Sequence, residues 1–187
     1  ILQANYNREN IPPAVYDSTF TANDDGKCFR SRAYYANYFG RMFNQCDVYV
    51  ALHTNATSTN PEGVRGIETL WDNDVDSKDQ LDYDGSDMAE HTNNINNGKM
   101  LQFATAIHNK VVSVLKTYYK PVWKPDWGSA WNNRGVKSST FRYTEVRTVQ
   151  KPMCLVEYGF HTNSIDARAI LEEDWKRLAA QGTPSSS

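Results

Sequence analysis

Two short and almost entirely apolar segments stand out in a chain whose other hydrophobic residues mostly recur at helical spacing. Residues 47–53 and 152–157 are rich in strand-forming side chains and predict strands that are buried on both faces. Helical periodicity instead marks residues 29–44, 88–118 and 165–180. This alternation predicts an α/β fold, in which a mostly parallel mixed sheet is sandwiched between helices in a single domain.

Weaker patterns predict shorter elements between these segments. We expect further strands at residues 14–19, 67–71 and 141–146, and a turn at residues 23–26. Two asparagines and a glycine at residues 96–98 predict a break in the long helical segment.

Composition and charge exclude several classes of protein. The chain has 187 residues, of which 40% are hydrophobic, and this is enough for one domain with a core. A net charge of −2 without a basic stripe argues against a nucleic-acid partner. No apolar run approaches the roughly 20 residues of a membrane span. The three cysteines, Cys28, Cys46 and Cys154, are too widely spaced for a structural zinc site, so we expect ordinary thiols.

The most acidic part of the chain is residues 72–87, which contain seven aspartates. Such a charge run predicts a solvated surface loop. A calcium loop is the alternative, although the spacing lacks the glycine and terminal glutamate of an EF-hand. We expect His91, beside this segment, to be exposed, and His108 to pack at the core edge of the long helix.

Each of the two apolar strands ends in a side chain that is able to do chemistry. His53 ends the first strand, where a neutral imidazole can bind a metal or move protons, or simply form a structural hydrogen bond. Glu157 ends the second strand. Because burying an ionised carboxylate is costly unless it is paired or metal-bound, Glu157 predicts either a general base or a structural ion pair. Glu68, inside the strand at residues 67–71, predicts either a partner of such a site or a plain cross-strand pair.

Three blocks of sequence follow one another in the order of a known family. They are Arg32–Asn37 with Cys46–Ala56, similar to "RA..AN … ADLFISIHANA"; Gly66–Thr69, similar to "G.ET"; and Asn133–Lys137 with Pro152–Asn163, similar to "NRGVK … PAVLVE.GFISN". On these blocks, residues 1–180 resemble the zinc-dependent N-acetylmuramoyl-L-alanine amidases of cell-wall hydrolases, sporulation amidases and phage endolysins.

The resemblance implies a zinc ion held by two histidines and a glutamate, with a second glutamate as catalytic base. His53 matches the second histidine ligand, and Glu157 matches the catalytic glutamate. The family's first histidine, in a "GHGG" turn, and its ligand glutamate have no counterpart in this sequence. We therefore expect residues 1–182 to form an amidase-like catalytic domain that lacks its N-terminal strand and most of helix one, followed by a linker at residues 183–187. Another segment or another chain is expected to supply the remaining ligands.

The function that the resemblance implies is hydrolysis of the amide bond between N-acetylmuramic acid and L-alanine in peptidoglycan. The expected location is extracellular, in the cell envelope or associated with a phage. Substrate contacts are expected from Asn55, Arg134, Lys137 and His161. The alternatives are surface solvation for Arg134 and Lys137, and a supporting or surface position for His161. The alternative function is a non-catalytic peptidoglycan-binding or structural module.

Overall fold

The chain separates into two compact units, each assembled from three stretches of sequence. In the computed structural model, the described residues are 11–16, 24–44, 46–74, 82–86, 88–118, 131–139 and 143–183. The first unit comprises Ile1–Tyr49, Asp72–Met100 and Ser139–Met153, and the second comprises Val50–Trp71, Leu101–Ser138 and Cys154–Ser187.

Helices and strands alternate along the described residues. In chain order they are α1 (Pro13–Tyr16), α2 (Asp24–Phe43), β1 (Tyr49–Asn55), a single 3-10 turn (Pro61–Gly63), β2 (Ile67–Trp71), α3 (Ala89–Asn96), α4 (Lys99–Tyr118), β3 (Asn133–Ser138), α5 (Thr144–Arg147), β4 (Met153–Phe160), α6 (Ser164–Leu171) and α7 (Glu173–Gly182). Among these, no helix is long and apolar enough to cross a membrane.

The four strands form one mixed sheet in the order β1-β4-β2-β3. Strand β2 is parallel to β3 and antiparallel to β4. At the two ends of β1, the Tyr49 amide donates to the Pro152 carbonyl and the His161 amide donates to the Asn55 carbonyl, so β1 and β4 run in the same direction. Two of the three neighbouring pairs are therefore parallel, and the predicted α/β fold with a mostly parallel mixed sheet is confirmed.

Strand β4 is the most deeply buried element, and all eight of its residues are buried. Cys154, Val156 and Tyr158 point into a core that also contains buried residues of β2, α4, α6 and α7. The Tyr158 ring meets the Trp175 ring of α7 edge to face, with 5.7 Å between centroids. Burial raises the pKa of the Cys154 thiol to about 12, which confirms an ordinary core cysteine. For β4, this burial on both faces is what the continuous apolar run predicted. The same prediction for residues 47–53 is wrong, because β1 lies at one end of the strand order and its Leu52 side chain is 57% exposed.

In the first unit, aromatic side chains of α2 form a small core with α1. Tyr34 and Tyr38 pack against Val15, which is fully buried. The prediction of a strand at residues 14–19 is therefore corrected, because Pro13–Tyr16 is helical and buries Val15 against α2. A proline is well tolerated in the first turn of a helix, where its missing N–H has no partner to lose. Residues 17–19 lie outside the described part of the chain.

Three other element predictions are corrected. Helix α2 begins at Asp24, inside the turn predicted at residues 23–26. Residues 144–146 form helix α5 instead of a strand, because Val146 turns inward and is fully buried. The closing helix divides into α6 and α7 at Glu172, whose backbone is extended. The predicted break at residues 96–98 is confirmed by the end of α3 and the start of α4.

The described residues of the acidic segment, 72–74 and 82–86, are only partly solvated, contrary to the prediction of a surface loop; residues 75–81 and 87 lie outside the described part of the chain. Asp72 and Asp82 are 1% and 0% exposed. Asp82 accepts hydrogen bonds from the Asn37 amide at 2.9 Å and from the Arg41 guanidinium at 2.6 Å. The prediction of an exposed His91 is also wrong: its ring is 1% exposed and lies between the Asp72 carboxylate and the Val149 carbonyl. These carboxylates are buried because polar partners from distant parts of the sequence satisfy them.

Candidate active site

The second unit presents a polar face on the side of its sheet that is turned away from the helical core. The Oγ1 atom of Thr69 lies 3.0 Å from Nδ1 of His108 on α4, so strand alternation turns Glu68 to the opposite face. On β4, Val156 packs into the core, and Glu157 points the other way. Glu68 and Glu157 are direct cross-strand partners on β2 and β4. Their Cβ atoms are therefore expected to be about 4.5–5.5 Å apart.

Strand β1 adds two of the predicted site residues to this face. The side-chain amide of Asn55 donates to Oε1 of Glu68 at 2.7 Å, which fixes the face to which Asn55 belongs. His53 lies two residues earlier on the same strand and shares that face by alternation. Its side chain is half-buried. The structure therefore places His53, Asn55 and Glu157 on one face of the sheet.

Glu68 is the centre of the polar face. Its Oε2 atom accepts from Nε of Arg134 at 3.0 Å and from Nζ of Lys137 at 2.6 Å. Burial raises the pKa of Glu68, but the hydrogen bonds and charges of Lys137 and Arg134 outweigh it and hold the pKa below its ordinary value of 4.5. Glu68 is therefore ionised at neutral pH. Two cationic side chains against one carboxylate leave one positive charge in excess in this group.

A bulge in β3 explains how Arg134 and Lys137 reach the same carboxylate. Strict alternation would turn residues 134 and 137 to opposite faces of the sheet. The register against β2 shifts between the pairs Ile67 with Asn133 and Thr69 with Val136, so β3 contains one extra residue.

The extra residue is accommodated at Gly135, whose φ of +84° is favourable for glycine alone. Its amide donates to Oδ1 of Asn133 at 3.0 Å. Asn133 also meets Nε2 of His108, and Val136 packs against the core, so both face the helices. The bulge thereby leaves Arg134 and Lys137 together on the polar face.

The guanidinium of Arg134 is held from a second side. Its central carbon lies 5.1 Å from the centroid of the Phe160 ring, at the end of β4. Phe160 is 3% exposed, so the ring provides a fixed surface for the cation.

His161 is placed apart from this group. Its side chain is exposed, and Nδ1 lies 3.1 Å from Oγ1 of Thr54. Thr54 lies between His53 and Asn55 on β1, so its side chain points away from theirs. The structure does not bring His161 into contact with Glu68.

The sequence left the role of Glu68 open and did not predict the polar contacts of His108 on the helix side of the sheet. His108, predicted to pack at the core edge, is 2% exposed, and burial lowers its pKa. It joins α4 to β2 through Thr69 and to β3 through Asn133. Asn133 stands within a block that the sequence singled out, but nothing local pointed to a histidine 25 residues away.

The described residues do not fit a zinc site on their own. Within the ranges given above, no group of three or more His, Cys, Asp or Glu side chains is arranged to hold a metal ion. A catalytic zinc takes three protein ligands and keeps one position open. Among those residues, His53 is the single ligand that the sequence predicted.

Comparison with known proteins gives the same family as the sequence blocks. The family model described as N-acetylmuramoyl-L-alanine amidase (Amidase_3) matches residues 4–185. The chain is 30% identical over 137 residues to the uncharacterised protein YqiI of Bacillus subtilis (strain 168), a match that spans 73% of this chain and 48% of that protein.

Two solved amidase structures have a similar fold. An N-acetylmuramoyl-L-alanine amidase from Clostridium difficile 630 superposes with a TM-score of 0.54 at 22% identity, covering 82% of this chain and 60% of that one. Amidase AmiC2 of Nostoc punctiforme gives a TM-score of 0.53 at 17% identity, covering 89% and 64%. The chain thus spans less than two thirds of the length of each of these relatives. Because the family match nevertheless extends over almost all of its residues, the chain belongs to the N-acetylmuramoyl-L-alanine amidase family.

Proposed function

We propose that this chain hydrolyses the amide bond between N-acetylmuramic acid and L-alanine in peptidoglycan. It would act on the cell wall, as a protein that is extracellular, located in the cell envelope or associated with a phage. The observation that carries the proposal is the placement of Glu157. This carboxylate is 4% exposed and lies opposite Glu68, on the face that also holds His53.

Glu157 is proposed as the general base. It removes a proton from a water molecule while the water oxygen bonds to the carbonyl carbon of the muramoyl group. The carbon–nitrogen bond then breaks, and the proton passes from Glu157 to the leaving nitrogen of L-alanine. The immediate products are the carboxylic acid of muramic acid and a peptide with a free amino terminus. The acid then loses its remaining proton to that amine, giving a carboxylate and an ammonium group, so atoms and charge balance.

Glu68 is less suited to the role of general base, although it lies on the same face of the sheet as Glu157. Both of its oxygens already accept hydrogen bonds, and two cations stabilise its charged form. A base that is held ionised in this way takes up a proton poorly. We propose that Glu68 orients Asn55, Arg134 and Lys137 instead.

Two partly exposed cationic side chains beside Glu68 support a role in binding the stem peptide. Lys137 and Arg134 are 42% and 28% exposed, so both remain within reach of a ligand carboxylate. Guanidinium and ammonium groups suit the free carboxylates of such peptides. We propose that Arg134 and Lys137 contact those carboxylates, that Asn55 contacts the peptide backbone, and that His161 contributes from the rim.

We also propose that the activity depends on zinc, with His53 as one ligand. The family resemblance supports this, and the described residues alone do not complete the ligand set. The remaining ligands are proposed to come from another segment or another chain.

The test is the release of peptides with new amino-terminal alanine from purified peptidoglycan by the full-length protein. Glu157→Gln keeps the shape of the side chain and removes the base, so we expect activity to fall about 10²–10⁴-fold. Glu173→Gln is the matched control, because Glu173 is an exposed glutamate of the same unit that pairs with Lys176 on the surface of α7. Equal activity in Glu157→Gln and the parent would remove Glu157 from the mechanism. Binding of peptidoglycan without release of peptides by the parent would instead establish a non-catalytic wall-binding module.

A further inference from the structure

A buried carboxylate at the start of α6 joins the ends of the two strands that carry Glu68 and Glu157. Asp166 is 2% exposed. Its Oδ2 atom accepts from the backbone amides of Gly66 at 2.9 Å and of Phe160 at 3.1 Å. Its Oδ1 atom accepts from Nε of Arg65 at 2.9 Å.

The position of these two amides is important, because they flank the carboxylate pair. Gly66 immediately precedes β2, two residues before Glu68, and Phe160 ends β4, three residues after Glu157. In the antiparallel ladder of β2 and β4, Glu68 with Glu157 is the last pair on this side. Asp166 therefore accepts hydrogen bonds from both strands just beyond their last paired residues. There, strand pairing no longer fixes the distance between β2 and β4.

Helix α6 is itself anchored, so Asp166 is a fixed point. Oδ1 of Asn163 caps the helix by accepting from the amides of Ile165 and Asp166, both at 3.1 Å. The Asn163 amide donates to the Glu62 carbonyl at 2.8 Å. A side chain at Gly159 would bring its Cβ within 3.2 Å of Oδ2 of Asp166, so glycine leaves room for the close approach.

Stability alone is a weak explanation for this arrangement. Arg65 and Asp166 are each 2% exposed, and a buried ion pair is often no more stabilising than apolar side chains of the same volume. Apolar side chains, however, do not form the directional hydrogen bonds that would fix the two strand ends. Two backbone amides and one guanidinium converge on a single carboxylate here, and this defines where both strand ends lie.

We propose that Asp166, supported by Arg65, is a positioning residue that sets the relative placement of Glu157 and Glu68 for hydrolysis. The role rests on the proposed function. Asp166 touches neither carboxylate and takes no part in proton transfer. It acts through the backbone at Gly66 and Phe160.

The test compares Asp166→Asn with Tyr158→Phe in the full-length protein. Asp166→Asn removes the charge and keeps one acceptor oxygen. Whichever way the amide turns, its N–H₂ group faces a donor, either Nε of Arg65 or the amides of Gly66 and Phe160, so the hydrogen bonds that hold the two strand ends weaken. Tyr158→Phe is the matched control, since it removes a hydrogen bond between β4 and Thr183 on the core side. Both variants should unfold at lower temperature than the parent. Assays on a soluble muramoyl dipeptide are run well below those temperatures.

We expect Asp166→Asn to lower kcat about 10-fold, because small misplacements of a catalytic group are costly. Its KM should change less than its kcat, since Arg134 and Lys137, which are proposed to contact the substrate, are carried by β3 and not by the two strand ends that Asp166 holds. Tyr158→Phe should keep the parent kcat. Amide hydrogen exchange at Gly66 and Phe160 should accelerate in Asp166→Asn and not in Tyr158→Phe.

Several results overturn the proposal. One is a parent-like kcat in folded Asp166→Asn, and another is the same loss of kcat in Tyr158→Phe. If Asp166→Asn does not fold, Arg65→Lys decides, because it keeps the charge and alters only the geometry of the contact. A lower kcat in Arg65→Lys supports the role, and a parent-like kcat removes it. A parent protein without amidase activity overturns the proposed function and this role with it, whereas an active parent isolates the failure to Asp166.

Discussion

Glu68 and Glu157 are direct partners across the antiparallel strands β2 and β4, and Glu68 is held by two cations from β3. Two carboxylates at this separation would repel each other if both charges were uncompensated. Arg134 and Lys137 offset the charge of Glu68, so Glu157 does not face a bare anion. The two cations on Glu68 suit a carboxylate that orients its neighbours, and Glu157 is the carboxylate that is proposed to move protons.

The first prediction concerns the contribution of Glu68 to stability. Because its pKa is lowered in the folded protein, the stabilisation is fully present above pH 4.5 and is lost as pH falls through the lowered pKa. Glu68→Gln should reduce the free energy of unfolding at pH 7 by about 1.5–3 kcal/mol, as expected for hydrogen bonds to a charged group. Urea titrations of parent and variant across the acid range should converge at low pH. Glu90→Gln, which alters an exposed pair with Lys151, should cost no more than about 1 kcal/mol. A difference for Glu68→Gln that stays constant with pH would contradict the assignment.

The second prediction concerns Lys137 and the charge of the substrate. If its ammonium contacts a stem-peptide carboxylate, Lys137→Met should raise KM about 2–5-fold, which corresponds to an exposed ionic contact of up to about 1 kcal/mol. The effect should shrink at high salt, because exposed charges are screened. Lys176→Met on α7 is the control, since Lys176 pairs with Glu173 on the helix surface. An unchanged KM for Lys137→Met at low salt would leave this lysine as a partner of Glu68 alone.

The third prediction concerns the bulge at Gly135. Alanine at φ +84° is strained, and nothing lies within 4 Å of its added Cβ, so the cost should be conformational and about 1–2 kcal/mol. Gly85→Ala is a close match, with φ +81° and equally open surroundings in the first unit. Both should lower the unfolding temperature by similar amounts. Only Gly135→Ala should also raise KM, because β3 holds Arg134 and Lys137 in place. Equal kinetics in the two variants would mean that the bulge does not matter for substrate binding.

The fourth prediction concerns metal. Full-length protein should carry about one zinc ion per active site, as catalytic zinc sites do. Chelation should abolish peptide release, and added zinc should restore it. His53→Ala should lower the measured zinc content, whereas His161→Ala should leave it unchanged. Retention of zinc by His53→Ala would show that this histidine is not a ligand.

Much of the fold follows from features that are local in the sequence. The apolar runs at residues 47–53 and 152–157 predicted β1 and β4, and the helical period of residues 88–118 predicted α3 and α4 with their break. The same runs led to the candidate residues His53 and Glu157, but β1 continues to Asn55 and β4 to Phe160, so neither residue ends its strand. Local patterns failed where packing overrode them. Val15 and Val146 have strand-forming side chains, yet both lie in short helices that bury them in the core.

The contacts that organise the site come from residues that are far apart in the chain. Arg65 and Asp166 are 101 residues apart, and Glu68 meets Lys137 across 69 residues. Alternation along a strand predicts which side chains share a face, but it says nothing of which strands become neighbours. One bulged residue also reverses the prediction for everything beyond it, as at Gly135. The two principal strands and the candidate residues His53 and Glu157 could thus be identified from the sequence. Strand order, register and the pairing of buried charges depend on non-local packing, because each buried polar group must find a partner.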